Sequence, residues 1–212
     1  MPTPAPTPQV KVRPDNLTRR GNTFGFTLIE LMVTLAVLAI LVSIAVPSFG
    51  RMLASNRLTT QTNEFILALN LAKSEAIRRA QPVSIRTVDT AGVAFQAGWR
   101  IFSDNNADGD VPSVPTADDG SIVRENPAVS GTTTVRRVTR TGSAGSYSYP
   151  VAGTGLADRA YITFNSRGAN NSGTPAYFRI CDPSYPTMNG RVIQVSTVGR
   201  TFVETSTASC AS

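Results

Sequence analysis

The chain has 212 residues, 41% of them hydrophobic and 16% charged, enough apolar material for one sizeable core. It contains no histidine and only two cysteines, Cys181 and Cys210, which excludes a zinc cluster, a histidine-based triad or a haem ligand set built from this chain alone. The two lysines, Lys11 and Lys73, do not rescue a Ser–Lys arrangement, because Ser74 next to Lys73 points elsewhere on a helix.

The net charge of +6 is carried by the two ends of the chain. Residues 1–25 hold four basic groups and one acid, residues 26–120 hold seven against nine, and residues 121–212 hold nine arginines against four acids. The opening MPTPAPTPQ is too rich in proline for a helix and reads as an extended, solvated tail. After Arg19, Arg20 and Gly25 comes Phe26–Val46, an apolar run with a single charge at Glu30. As a helix it is about 31 Å long, matching the roughly 30 Å hydrocarbon core of a bilayer. The basic flank places residues 1–25 in the cytoplasm and the remainder outside. A secretory signal peptide is the alternative, but its apolar run would be shorter and followed by an A-x-A site, which does not occur before Pro47. A carboxylate five residues into such a run costs several kcal/mol unless it is partnered or neutralised, so Glu30 is a functional candidate.

Beyond the span, Pro47 is expected to bend the helix, after which the helical pattern resumes. Leu58, Phe65, Leu69, Ala72 and Ala76 fall on one stripe, with Asn63, Asn70, Lys73 and Arg78 off it. Arg78 and Arg79 suit the negative end of the helix dipole, and Pro82 stops the helix. A single helix from Phe26 to Ala80 would be roughly 80 Å long. From Val83 onward the texture is of short β runs between turns: Val83–Val88, Gly98–Phe102, Ser121–Arg124, Thr134–Thr139, Tyr161–Asn165, Tyr177–Cys181, Arg191–Ser196 and Arg200–Glu204. Gly142–Gly155 reads as a mobile loop. The pattern predicts an α+β fold in which an antiparallel sheet system covers the apolar stripe of the helix.

Asp104, Asn106 and Asp108, followed by Gly109, fit the first half of a calcium loop. The second half fails, since Pro115 stands where a bidentate Glu is needed, and a turn capped by Asn and Asp side chains accounts for the same residues. Cys181 and Cys210 are the sole pair and lie on the oxidising side of the membrane, so a structural disulfide is expected. It would contribute about 3.5 kcal/mol in the chain-entropy model and staple the last hairpin to the body.

The junction Gly25-Phe26-Thr27-Leu28-Ile29-Glu30-Leu31-Met32, with arginines upstream, closely resembles the class III leader junction of type IV prepilins and type II secretion pseudopilins. The resemblance implies that a prepilin peptidase cuts after Gly25 and methylates the new amino terminus at Phe26. It also implies that Glu30 pairs with the terminal amine of a neighbouring subunit during assembly, which agrees with a membrane carboxylate escaping its burial penalty beside a cation. Snorkelling of Glu30 to the interface is the alternative. A 25-residue leader is long for such proteins, and a start near Val12 or Leu17 would leave a short one ending in TRRGNTFG.

Three further stretches, Gly98–Gly109, Ile162–Gly168 and Gly190–Ser196 with Gly199-Arg200, resemble in order the head-domain signatures of the GspH/FimT group of minor pilins and pseudopilins. That resemblance implies a type IV pilin-like fold with four parts: a leader at 1–25, a transmembrane segment at 26–46, an amphipathic continuation at 47–81 and a β-rich head at 82–212. It implies a structural subunit without enzymatic activity or cofactor, held in the bacterial inner membrane by one pass with the head in the periplasm, and then carried into a filament. Its partners would be the prepilin peptidase, other pilin or pseudopilin subunits and inner-membrane lipid. The first expectation is a minor type IV pilin, the second a minor pseudopilin of type II secretion. The third is a DNA-binding minor pilin, in which Arg179, Arg191 and Arg200, joined by Arg136, Arg137 and Arg140, would contact phosphates. Some members of the group bind DNA through a Gly-Arg-x-Arg motif; here Gly199-Arg200-Thr201-Phe202 has Phe at the second arginine position.

Overall fold

The computed structural model describes Thr3 and residues 25–88, 94–107, 119–141, 147–148 and 161–210. The leader up to Phe24 apart from Thr3, Asp108 and Gly109 of the candidate calcium loop, and Gly142–Gly155 apart from Tyr147 and Ser148 lie outside the described residues. The chain divides into two compact units, one ending at Ala45 and the other starting at Val46.

Helix α1 (Leu28–Arg79) begins in the first unit and continues into the second, with helical backbone unbroken through Pro47. In the first unit its apolar side chains are exposed all round, Leu28, Ile29, Ile40 and Ile44 among them. The hydroxyls of Thr34 and Ser43 donate to carbonyls three residues back, those of Leu31 and Ile40. The only polar side chains in this stretch apart from Thr27 and Glu30 are therefore satisfied within the helix, as an apolar surround demands.

In the second unit α1 is one wall of the core. Leu58, Phe65, Leu69, Ala72 and Ala76 are all buried, on the stripe that the spacing predicts. The helix ends in a Schellman arrangement: Ala80 takes φ 53°, the Gln81 amide donates to the Ala76 carbonyl and the Ala80 amide to that of Ile77. Arg78 and Arg79 both bond Glu75, and these hydrogen bonds, that from Arg78 foremost, hold its carboxyl down at about 2. Arg79 also reaches the Ser103 hydroxyl.

Nine strands follow among the described residues: β1 (Val83–Thr87), β2 (Trp99–Asp104), β3 (Asp119–Asn126), β4 (Thr134–Arg140), β5 (Tyr147–Ser148), β6 (Tyr161–Phe164), β7 (Ala176–Cys181), β8 (Asn189–Val195) and β9 (Thr201–Ser209). They form two antiparallel sheets, one ordered β3-β2-β1-β6 and the other β5-β4-β7-β8-β9. Alternation along the strands sends Val83, Ile85, Ile101 and Phe164 of the first sheet, and Val135, Phe178, Ile180 and Ile193 of the second, into the same core as the helix stripe. The centre is Phe65, whose ring meets those of Phe95, Trp99 and Phe178 edge-on at centroid distances of 5.1, 5.3 and 5.1 Å.

Two short elements depart from the sequence expectation. Phe95–Ala97 is a 3-10 turn that delivers Phe95 to the core, and Tyr147–Ser148 adds a two-residue edge strand beside β4. Strand β9 also runs past Glu204 to Ser209, because Cys210 behind it is bonded to Cys181 at a Cα separation of 5.5 Å. The disulfide passes over β8 at Gly190, where a Cβ would stand 2.7 Å from Cys181 Sγ and 3.3 Å from Cys210 Sγ. Gly199, at φ 73° in the β8–β9 turn, meets a second constraint: a side chain there would collide with the Gly168 carbonyl oxygen. The Gly199 carbonyl accepts from Lys73 Nζ at 2.9 Å, so this turn is clasped to the helix.

Phe65→Ala should destabilise the second unit by about 3–5 kcal/mol, whereas Leu67→Ala, two residues away and 67% exposed, should change stability by less than about 0.5 kcal/mol. Denaturant unfolding of the detergent-solubilised chain, followed by the fluorescence of Trp99, measures both.

Candidate processing and assembly site

The start of α1 is built by Thr27. Its hydroxyl accepts from the Glu30 amide at 3.2 Å and its carbonyl from the Leu31 amide at 3.1 Å, so Thr27 is the N-cap and Glu30 the third helical residue. The T-x-x-E spacing that marks such a cap is present in the sequence, and Thr27 is the residue the sequence reading overlooked. Glu30 therefore lies in the first turn, where the helix dipole favours a negative charge, and it is exposed. Gly25 and Phe26 precede the helix as non-helical backbone, and a Cβ added at Gly25 would touch nothing within 4 Å. The bond between them thus lies on non-helical backbone, one helical turn ahead of a carboxylate.

The candidate arginines are not gathered into one patch. Arg179 is buried on β7, opposite Arg136 of β4 on one side and Val192 of β8 on the other. Arg191 pairs with Ile180, the next residue along β7, so Arg179 and Arg191 point to opposite faces of the sheet. Arg200 lies past the other end of β8, at least about 13 Å from Arg191 along the strand. It is exposed and stacks on Phe202 at 5.4 Å, so the residue that replaces the second arginine of the DNA-binding motif holds the first by a cation–π contact.

The β4 arginines are engaged separately. Arg140 stands over the Tyr177 ring at 5.8 Å and 3.9 Å from Glu204, which also accepts from the Tyr147 hydroxyl at 2.5 Å. Burial, then that hydrogen bond to Glu204, pushes Tyr147 up to about 12. Arg137 points the other way and donates from Nη1 to the Tyr161 carbonyl at 2.8 Å.

Asp104 of the candidate calcium loop is fully buried at the end of β2 and accepts from the Ser84 hydroxyl, which also shares a hydrogen bond with Thr163. Asn106 is exposed in the turn that follows. Asp104 is thus directed into the sheet, and among the described residues no group of three or more His, Cys, Asp or Glu side chains could hold a metal ion.

Comparison with known proteins agrees with this architecture. Residues 61–199 match the family described as Type II transport protein GspH, and residues 20–46 match the prokaryotic N-terminal methylation motif. The type II secretion system protein H of Escherichia coli (strain K12) is 36% identical over 107 residues, covering 48% of this chain and 57% of that protein, so a little over half of the relative's length is matched. Among solved structures, the type IV minor pilin FimU of Pseudomonas aeruginosa (strain PAO1) superposes with a TM-score of 0.51 at 23% identity, covering 73% of this chain and 96% of that one. With the apolar, N-capped helix ahead of two antiparallel sheets, and with that match running over most of the head, the chain belongs to the GspH family and carries a prepilin-type methylation motif in front of it.

Proposed function

We propose that the chain is a minor subunit of a type IV pilus, cleaved after Gly25 by a prepilin peptidase, methylated at Phe26 and incorporated into the filament or its priming complex. Residues 1–25 act as a cytoplasmic leader, 26–46 span the inner membrane, 47–81 continue the helix and 82–212 form a periplasmic head. The observation that carries this reading is the methylation motif at residues 20–46 leading directly into a helix whose apolar surface is exposed all round. Such a surface requires lipid first and neighbouring apolar helices afterwards. Glu30 supplies the assembly contact, since a carboxylate near the start of the span is stabilised by the terminal amine of another subunit. The role is structural and needs no cofactor.

A second reading, a minor pseudopilin of the type II secretion system, is favoured by the E. coli relative. The two separate in a deletion strain: loss of surface filaments with secretion intact supports the pilus, and loss of secreted enzymes with filaments intact supports the secretion system. DNA binding is not proposed, because Arg179 is buried and Arg191 and Arg200 lie apart.

Co-expression with a prepilin peptidase should give an intact mass lacking residues 1–25 and carrying one added methyl group on Phe26. Gly25→Leu should leave the leader in place, and a mature chain starting anywhere else would count against the reading. Glu30→Ala should yield a protein that inserts into the membrane and folds normally, yet is recovered in sheared filaments at about one tenth of the wild-type level or less, a ratio of about 1.4 kcal/mol. Unaltered recovery in that fraction would instead identify Glu30 as a snorkelling residue.

A further inference from the structure

Arg137 differs from the arginines of the second unit that are held by an acid. Arg78 and Arg79 share Glu75, Arg100 holds Glu125 and Arg140 lies beside Glu204. Arg137 has none of these: among the described residues its one hydrogen bond goes to a neutral carbonyl, that of Tyr161. Register places it opposite Phe178, on the inner side of its sheet, and from there it reaches β6 of the other sheet. It occupies the seam between the sheets, where solvent is partly excluded. Burial lowers its proton affinity below the usual guanidinium range, with Tyr161 as the only opposing influence.

Beside it is a cavity of about 320 Å³, lined by Arg137, Thr163, Asn170, Asn171 and Ser172 among others, and no acid is among the described residues of the lining. A guanidinium has five N–H donors in a planar fork, and one bond leaves most of that fork without a partner among the described residues. We propose that this cavity is a binding site for a single carboxylate group, with Arg137 as its anchor. A carboxylate matches the fork bidentately and neutralises one charge with one charge. A phosphate, at about −1.5 to −2, would leave an excess negative charge in a recess whose described lining holds one cation. The volume admits a group the size of an acidic side chain but not a nucleic-acid duplex. The carboxylate has two sources of the same chemistry, a small free acid or an acidic residue of a neighbouring subunit.

The test uses the full chain in non-ionic detergent at pH 7, with glutarate replacing chloride at constant ionic strength and the thermal midpoint read by circular dichroism. The midpoint should rise by about 3 °C and saturate, as linkage to native-state binding requires. Arg137→Gln should abolish the rise and Arg137→Lys should keep part of it. Asn171→Asp adds a negative charge at the cavity rim without altering Arg137, and should weaken the apparent affinity about tenfold. A blocked peptide containing one Glu, compared with its Gln counterpart, separates the sources: a rise with the peptide supports a subunit side chain, and a rise with glutarate alone supports a free acid. No rise with either probe, a rise that survives in Arg137→Gln, or an equal rise with phosphate overturns the proposal. So does glutarate binding that Asn171→Asp leaves unweakened. Asn171→Asp carries the test if Arg137→Gln does not fold.

Discussion

One aromatic side chain, Phe65, sets the geometry of the head. A single helix face must cover two sheets, and only a residue at the middle of the stripe can touch both; Phe65 meets Trp99 of the first sheet, Phe178 of the second and Phe95 of the turn joining β1 to β2. The stripe then tapers, from Phe65 and Leu69 to Ala72 and Ala76, which lets strands approach the helix closely toward its C-terminal end. There the contacts become polar and specific: Lys73 to the Gly199 carbonyl and Arg79 to the Ser103 hydroxyl. Packing thus fixes the middle of the interface, and hydrogen bonds fix its end.

The same helix obeys a different rule before Ala45. There the apolar side chains are exposed on every face, the hydroxyls close on their own carbonyls, and the one acid sits in the first turn behind a threonine cap. A soluble helix of that composition would be buried; here nothing among the described residues of the chain covers it. Family membership and the methylation motif accord with a helix divided in this way, one part packed in the head and the other led by a methylation motif, as the proposed function requires.

Much of the fold was legible in the residues. The helix stripe follows from a 3.6-residue period, and eight strands from short β-branched and aromatic runs between turns. What escaped was set by tertiary context. Tyr147–Ser148 has too few residues to signal a strand and exists because β4 offers an edge, while the extension of β9 through Thr205–Ser209 has weak propensity and follows from the bond at Cys210. At the candidate site, Gly25, Phe26 and Glu30 were legible as a local motif. The arginines were not, because whether Arg179 and Arg191 share a face depends on register and not on composition. The glycines of the head signatures acquire concrete reasons: Gly190 clears the path of the disulfide, and Gly199 combines a left-handed turn with contact against Gly168.

The bond between Cys181 and Cys210 also has a mechanical meaning. The strands β7, β8 and β9 lie side by side, and the bond joins the end of the first to the end of the last across the middle one. The 29 steps of backbone between the two cysteines would otherwise stretch to about 100 Å. With the loop closed, a load entering through the N-terminal helix and leaving through the C-terminus bypasses the β8–β9 hairpin. The extensible length falls from that contour to the 5.5 Å between the two Cα atoms. The edge of the sheet that carries Arg200 and Phe202 therefore keeps its shape under tension for as long as the sulfurs remain oxidised.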